Sequence, residues 1–137
     1  MSQHSGQKPE AILSHIKEHV PSWQHLTVEK VDFTRLSGLS NACYKVQPIK
    51  SELQPLLYRK FECHEIDRNL EQVIFETLAK QGTGPPLIFQ NQEYRIEGFM
   101  DARPITIWEM RNPIFYSSFA DSICQLHYNK ELIGRIS

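Results

Sequence analysis

The sequence predicts an α+β fold in which an antiparallel sheet of about five strands carries a packed helix, with further helices after it. Three observations predict this. Residues 28–36 and 42–46 are strand-like runs separated by a short turn containing Ser37, Gly38, Ser40 and Asn41, and small polar residues between two such runs signal a hairpin. A third run, Leu56-Leu57-Tyr58-Arg59-Lys60-Phe61, precedes residues 67–81, where Leu70, Val73, Ile74, Thr77 and Leu78 recur at helical spacing. Two more short runs, residues 87–89 and 93–99, are joined by the polar turn Gln90-Asn91-Gln92.

At 137 residues the chain is of single-domain size. Its 40% hydrophobic and 23% charged content predicts a packed core rather than disorder. A formal net charge of −1 gives no electrostatic case for binding nucleic acid or an anionic membrane surface. Cys43, Cys63 and Cys124 are far apart, odd in number and form no Cys-x-x-Cys. That suits free thiols in a reducing, cytoplasmic compartment. The first ten residues contain no secretory apolar segment, and no apolar run reaches membrane-spanning length.

The other elements follow in order. Residues 1–9 read as a flexible leader. Ile12, Leu13, Ile16 and Val20 share one face of a helix over residues 10–20, which Pro21 ends. His15 and His19, four apart, could share a metal ion; they lie largely off the apolar face with no third ligand near, which favours a solvated pair. Val28, Val31 and Phe33 are the apolar members of the first strand, and residues 48–55, bounded by two prolines, form a loop. Asp67 suits the start of the second helix, and Gly82, Gly84, Pro85 and Pro86 stop it. Residues 98–104 read as a connector and 105–110 as a short helical turn. Residues 112–129 form the last helix, with Pro113 in its first turn and Phe115, Phe119, Ile123 and Leu126 on one face. Residues 131–137 show no clear pattern, and there are no repeats or low-complexity segments.

Chemistry concentrates in two places. The backbone N–H groups of the turn at residues 37–41 are not screened by bulky side chains, so an anion could approach them closely; an ordinary hairpin turn is the alternative. In the third strand Leu57, Arg59 and Phe61 face one way, and Tyr58 and Lys60 the other. A cation planted mid-strand is costly without an anionic partner. Either this is an edge strand with solvated charges, or a cation is aimed at phosphate. Asp67 and Glu71 lie one turn apart at the start of the second helix, and a helical carboxylate facing Arg59 would hold it in place.

The order helix, hairpin, strand, helix, two strands, connector, helix is the plan of a kinase-like small lobe. Over residues 25–129 the chain resembles the N-terminal part of the choline/ethanolamine kinases, within the wider aminoglycoside-phosphotransferase and protein-kinase-like group. Leu36-Ser37-Gly38-Leu39-Ser40-Asn41-Ala42-Cys43-Tyr44-Lys45-Val46 resembles the family's phosphate loop, and Leu57-Tyr58-Arg59 its arginine-bearing third strand. Asp67-Arg68-Asn69-Leu70-Glu71-Gln72-Val73-Ile74-Phe75 resembles its glutamate helix, and Gly82-Thr83-Gly84-Pro85-Pro86-Leu87 the bend that follows. Glu97-Gly98-Phe99-Met100-Asp101-Ala102-Arg103-Pro104 resembles the hinge, and residues 120–127 the first helix of the large lobe. Two departures are visible. Ser37 stands where a first glycine is common, and Lys60 and Glu62 replace apolar or glycine residues, which leaves Lys60 as an alternative cation.

The resemblance implies a domain plan: a leader and helix over residues 1–24, a kinase-like small lobe with hinge over 25–104, and the start of a large lobe over 105–137. It implies ATP under Ser37, Gly38, Leu39, Ser40 and Asn41, Arg59 on its phosphates, Glu71 holding Arg59, and Gly98, Phe99, Met100 and Arg103 along the adenine. The implied reaction is phosphoryl transfer from ATP to the hydroxyl of choline or ethanolamine, the first step of phospholipid head-group synthesis. That reaction needs a base and Mg²⁺, which in this family come from a His-x-Asp motif and a later aspartate of the large lobe. No His-x-Asp occurs here; His127 is followed by Tyr128 and Asn129. This chain is therefore expected to lack the catalytic base and the metal ligands, to be inactive alone, and to leave the apolar stripe of its last helix uncovered. Two other readings stay open. One is a non-catalytic lobe that binds a partner, or itself, through the last helix. The other is an unrelated α+β binding or structural domain.

Overall fold

The computed structural model describes residues 7–38 and 41–137. The chain divides into two units, one ending at Phe99 and the other spanning Met100–Ser137. The first unit runs α1 (Pro9–His19), 3₁₀ turns at Pro21–Trp23 and Val28–Lys30, β1 (Val31–Leu36), β2 (Asn41–Pro48), β3 (Leu56–Phe61), α2 (Arg68–Lys80), β4 (Leu87–Gln90) and β5 (Tyr94–Gly98). The five strands form one sheet in the order β1-β2-β3-β5-β4, with every neighbouring pair antiparallel. This is the α+β kinase-like small-lobe architecture. It places β3 in the centre of the sheet, which overturns the edge-strand reading of its charges.

Register decides what each face carries. Tyr58 lies opposite Tyr44 on β2 and Ile96 on β5. These side chains, with Val46, Leu56 and Tyr94, form a buried face on which Ile12, Leu13 and Ile16 of α1, then Trp23 and Leu26, complete one core. Pro9 opens α1 at a position where a missing N–H costs nothing, and Pro21 follows it. The other face carries Asn41, Cys43 and Lys45 of β2, Leu57, Arg59 and Phe61 of β3, and Arg95 and Glu97 of β5, with α2 packed across part of it. The sheet is thus apolar on the α1 side and ionic on the α2 side.

His15 and His19 are not the solvated pair their spacing suggested, and each ring is bonded to a different tyrosine hydroxyl. The His15 ring stacks on Tyr94 at 4.2 Å and its Nδ1 hydrogen-bonds the Tyr58 hydroxyl at 2.7 Å. The His19 ring stacks on Phe89 at 3.5 Å and its Nε2 meets the Tyr94 hydroxyl at 3.1 Å. Both imidazoles fasten α1 to the sheet, because an aromatic wall offers a ring face and a hydroxyl together. Burial is the largest effect on His15 and holds its pKa below the usual value; Glu18 and Glu93 oppose it, and Lys60 and His19 reinforce it. The sign follows from linkage. Above the unfolded pKa of about 6.5 both states are neutral at this site and stability is unaffected. As pH falls below it, the unfolded chain gains a proton that the folded chain resists, so stability drops. Urea midpoints are expected to fall between pH 8 and pH 5.5, and to fall measurably less in His15→Gln; equal falls in both proteins would show that His15 does not carry this dependence.

The α2 helix starts at Asp67, whose carboxylate accepts from the Leu70 N–H at 3.1 Å. It ends at Gly82, which takes a left-handed φ of 72°. Thr77 is fully buried, while Leu70, expected in the buried stripe, is 40% exposed. Glu71 and Arg68 occupy part of the helix's inward surface instead of aliphatic groups, their side chains 31% and 10% exposed. In the second unit α3 (Ile107–Met110) opens with a Thr106–Glu109 capping box, and α4 (Pro113–His127) is capped by Asn112. A further helix, α5 (Lys130–Ile136), covers the stretch without a clear pattern; the Asn129 side chain caps it by accepting from the Leu132 N–H. Phe115, Phe119 and Leu126 of the expected α4 stripe are exposed, and Ile123, its fourth member, is half-buried. No helix of the described residues is long and apolar enough to cross a membrane.

Candidate phosphate-binding face

The ionic face of the sheet is built from the middle of three strands and the first two turns of α2. Arg59 projects from β3 towards α2, with Cys43 and Arg95 as its cross-strand neighbours. Lys60, the alternative cation, points to the opposite face and lies 3.9 Å from Glu93, so alternation along β3 removes it from this site. Lys45 joins the face from β2, its ammonium 4.6 Å from the centre of the Phe99 ring.

The expected pair of Glu71 with Arg59 does not form. Glu71 receives Arg95 in a two-pronged bond, Nη1 to Oε1 at 2.9 Å and Nη2 to Oε2 at 2.6 Å, and Arg68 reaches Oε2 at 3.2 Å. Arg59 instead donates from Nε and Nη2 to the two oxygens of Glu97, at 3.3 and 3.0 Å. Glu97 is two residues along β5 from the residue opposite Arg59, a diagonal that long side chains span readily. The sheet itself therefore supplies the anion for its central cation.

Burial sets the electrostatics. Arg95 is 2% exposed, its guanidinium 3.8 Å from the centre of the Phe75 ring and 5.3 Å from that of Phe61. Its Nε also donates to the Gln90 carboxamide at 3.1 Å. Burial would raise the Glu71 pKa, but bonding and charge from Arg95, then Arg68, outweigh it and hold the carboxyl below its usual range. Burial also opposes the charge on Arg59, and bonding and charge from Glu97 outweigh that and raise its pKa. The Cys43 thiol is pushed up by burial, as for an inert packed thiol. Arg59, Arg68 and Arg95 face two carboxylates, Glu71 and Glu97, so this cluster carries one net positive charge before Lys45 is counted.

The hairpin at the end of β1 and β2 shows why its glycine is needed. A Cβ on Gly38 would lie 2.5 Å from the Asn41 carbonyl oxygen, so the chain folds back on itself too tightly for any side chain there. Ser37 sits beside it and is exposed. Asn41 heads β2, and its Oδ1 is buried without a hydrogen-bond partner among the described residues. Leu39 and Ser40, expected under the phosphates, lie outside the described residues. Gly98 ends β5, its N–H bonded to the Pro86 carbonyl at 2.9 Å, and the Phe99 N–H reaches the Pro55 carbonyl at 3.3 Å. Met100 belongs to the second unit and is 56% exposed. Arg103 is committed to Glu109 by bonds of 3.0 and 2.5 Å within that unit, and this pairing draws the Glu109 pKa down to about 2. No group of three or more His, Cys, Asp or Glu side chains able to hold a metal occurs among the described residues.

Arg95 and Glu97 went unnoticed in the sequence. The signal was their i, i+2 spacing in a predicted strand, which puts both on one face; which face awaited the β3–β5 register.

Comparison with known proteins agrees with the architecture. The choline/ethanolamine kinase family model matches residues 33–131, well over half of the chain. A choline kinase of Schizosaccharomyces pombe is 30% identical over 116 residues, covering 79% of this chain and 25% of its own length. A choline/ethanolamine kinase of Rattus norvegicus is 33% identical over 116 residues, covering 77% of this chain and 29% of its own length. The solved choline kinase of Cryptosporidium parvum superposes with a TM-score of 0.72 at 23% identity, over 84% of this chain and 33% of that one, and so shares the fold. The chain thus spans about a quarter to a third of the length of these relatives. On the family match and the small-lobe topology together, the chain belongs to the choline/ethanolamine kinase family.

Proposed function

We propose that this chain is the nucleotide-binding small lobe, with the beginning of the large lobe, of an ATP-dependent choline/ethanolamine kinase. The observation that carries this reading is Arg59: a guanidinium on the central strand, on a face with excess positive charge, beside Cys43, whose sulfur lies near Gly38, where the backbone leaves no room for a Cβ. Such an arrangement suits a polyphosphate, with Ser37, Gly38 and Asn41 at one end and Gly98 and Phe99 at the end of β5 beside the base. ATP is then the phosphoryl donor, and choline or ethanolamine the acceptor in a complete enzyme. Mg²⁺ would neutralise charge developing on the transferred phosphoryl group. Among the described residues no cluster of three or more carboxylate, imidazole or thiol groups offers it a site, and the part we assign to this chain is to bind and orient the nucleotide. No His-x-Asp is present to orient the acceptor hydroxyl, and the 137-residue chain by itself is expected to transfer no phosphate to either amine.

The test is a thermal melt with and without Mg-ATP. A tenfold excess over Kd stabilises a protein by about 1.4 kcal/mol, which raises the melting temperature of a unit this size by roughly 5–10 °C. Wild type is expected to show the rise and Arg59→Ala to show none. An equal rise in both, or none in wild type at millimolar Mg-ATP, would overturn the reading.

A second reading rests on Phe115 and Phe119, 42% and 53% exposed on α4. An apolar stripe of this kind marks an association surface, and supports a lobe that binds a partner or a second copy. A sharp monomer in light scattering at tens of micromolar would remove self-association.

A further inference from the structure

We propose that Glu97, a residue of the sheet, is the positioning residue for the phosphate-binding cation, and that Glu71 of α2 has no direct part in aiming it. This rests on the nucleotide reading above and goes beyond it. Three observations converge. The Glu97 side chain is 3% exposed, so water cannot solvate its charge and Arg59 must neutralise it. The pair is side-on: Glu97 takes Nε and one Nη2 hydrogen of Arg59, leaving the outer Nη1–Nη2 edge without a hydrogen bond among the described residues. A guanidinium held at one edge presents the other in a fixed plane, which is the geometry for two-pronged capture of phosphate oxygens. Finally, both oxygens of Glu71 are occupied by Arg95, with Arg68 as an additional donor.

The consequence is mechanical. Where a helix carboxylate holds the strand cation, moving the helix releases the cation. Here both partners sit on adjacent strands of one sheet, so Arg59 keeps its aim whatever α2 does. The Glu71–Arg95 bond fixes the helix to the sheet as a separate lock.

The test compares wild type, Glu97→Gln, Glu97→Asp, Glu71→Gln and Arg59→Ala in the 137-residue chain, using ATP and adenosine as probes. Glu97→Gln makes the competing ideas predict opposite signs. If Glu97 only competes for the guanidinium, removing its charge raises ATP affinity. If it aims the guanidinium, affinity falls; an outer partner of this kind is expected to matter by about tenfold. The ATP-over-adenosine preference is expected to fall about tenfold in Glu97→Gln, to recover partly in Glu97→Asp, and not to fall in Glu71→Gln, where the lost carboxylate leaves the face more positive. In ¹⁵N–¹H spectra the Arg59 Nε–H signal should be slow to exchange in wild type and Glu71→Gln, and fast in Glu97→Gln. Loss of that signal in Glu71→Gln that is still folded, or unchanged or tighter ATP binding in folded Glu97→Gln, overturns the proposal. If wild type shows no preference for ATP over adenosine, or Arg59→Ala keeps it, the nucleotide reading itself has failed and the positioning role falls with it.

Discussion

Arg95→Ala is expected to destabilise the first unit by about 3 kcal/mol, at the low end of the range for breaking a buried ion pair because Glu71 keeps some contact with water. For a unit of this size that is a drop of roughly 12–20 °C in melting temperature. The physical reason is what remains behind. Glu71 loses two of its three hydrogen bonds and keeps only Arg68. Phe75 and Phe61 lose the flat group that fills the space beside them, and Gln90 loses its guanidinium donor. Pairing Arg95→Met with Glu71→Leu removes both charges and keeps the volume, and should recover most of the loss. The pH dependence has a definite sign. The folded Glu71 pKa is lowered, so its contribution is complete above the usual carboxylate range and disappears as pH falls through the folded value. The gap between wild type and Arg95→Ala should therefore narrow in acid. A loss under about 1 kcal/mol at pH 7, measured by calorimetry, would mean that the Glu71–Arg95 lock does not hold α2.

The same cluster shows how far a sequence can be read. The strands, the helix with its Asp67 cap and the orientation of Arg59 were legible because each follows from local pattern: period two in a strand, period near four in a helix, a small acidic residue before it. Alternation also separated Arg59 from Lys60, and the structure puts them on opposite faces. The partner of Arg59 was not legible. Glu71 was the natural expectation from helical spacing and resemblance, whereas the actual partner, Glu97, lies 38 residues away. Only the β3–β5 register brings it near, and register is a property of the whole sheet. His15 and His19 misled for a related reason. On a helical wheel they flank the apolar stripe and look wet, but the wall they meet presents Tyr58, Tyr94 and Phe89, and aromatic hydroxyls accept imidazoles that an aliphatic wall would exclude. Leu70 failed the other way: an apolar residue at a good helical position stays exposed because ionic groups occupy the inward surface beside it.

Replacing both Ile12 and Ile16 by alanine is expected to cost about 5–6 kcal/mol and to leave the first unit unfolded or nearly so at 37 °C. Each is fully buried, and an isoleucine-to-alanine change in a tight core costs roughly 2–5 kcal/mol, against a total stability of about 5–15 kcal/mol for a domain. The effect should exceed that of any single ionic substitution, because the ionic face of this sheet stands on the apolar one. Tyr58 and Arg59 are successive residues of β3, and Ile96 lies between Arg95 and Glu97 on β5. If α1 lifts from Tyr58 and Ile96, the strands lose the packing that fixes their register. The Arg59–Glu97 diagonal depends on that register to within one residue. Single changes, Ile12→Ala or Ile16→Ala, should retain a cooperative urea transition at lower midpoint. In the double variant the Arg59 Nε–H signal should be lost together with the near-ultraviolet dichroism of Tyr58 and Tyr94. If the dichroism vanishes while the Arg59 signal persists, the ionic face stands without α1. The helix would then be an accessory cover, and the ionic face would be organised by its ion pairs alone.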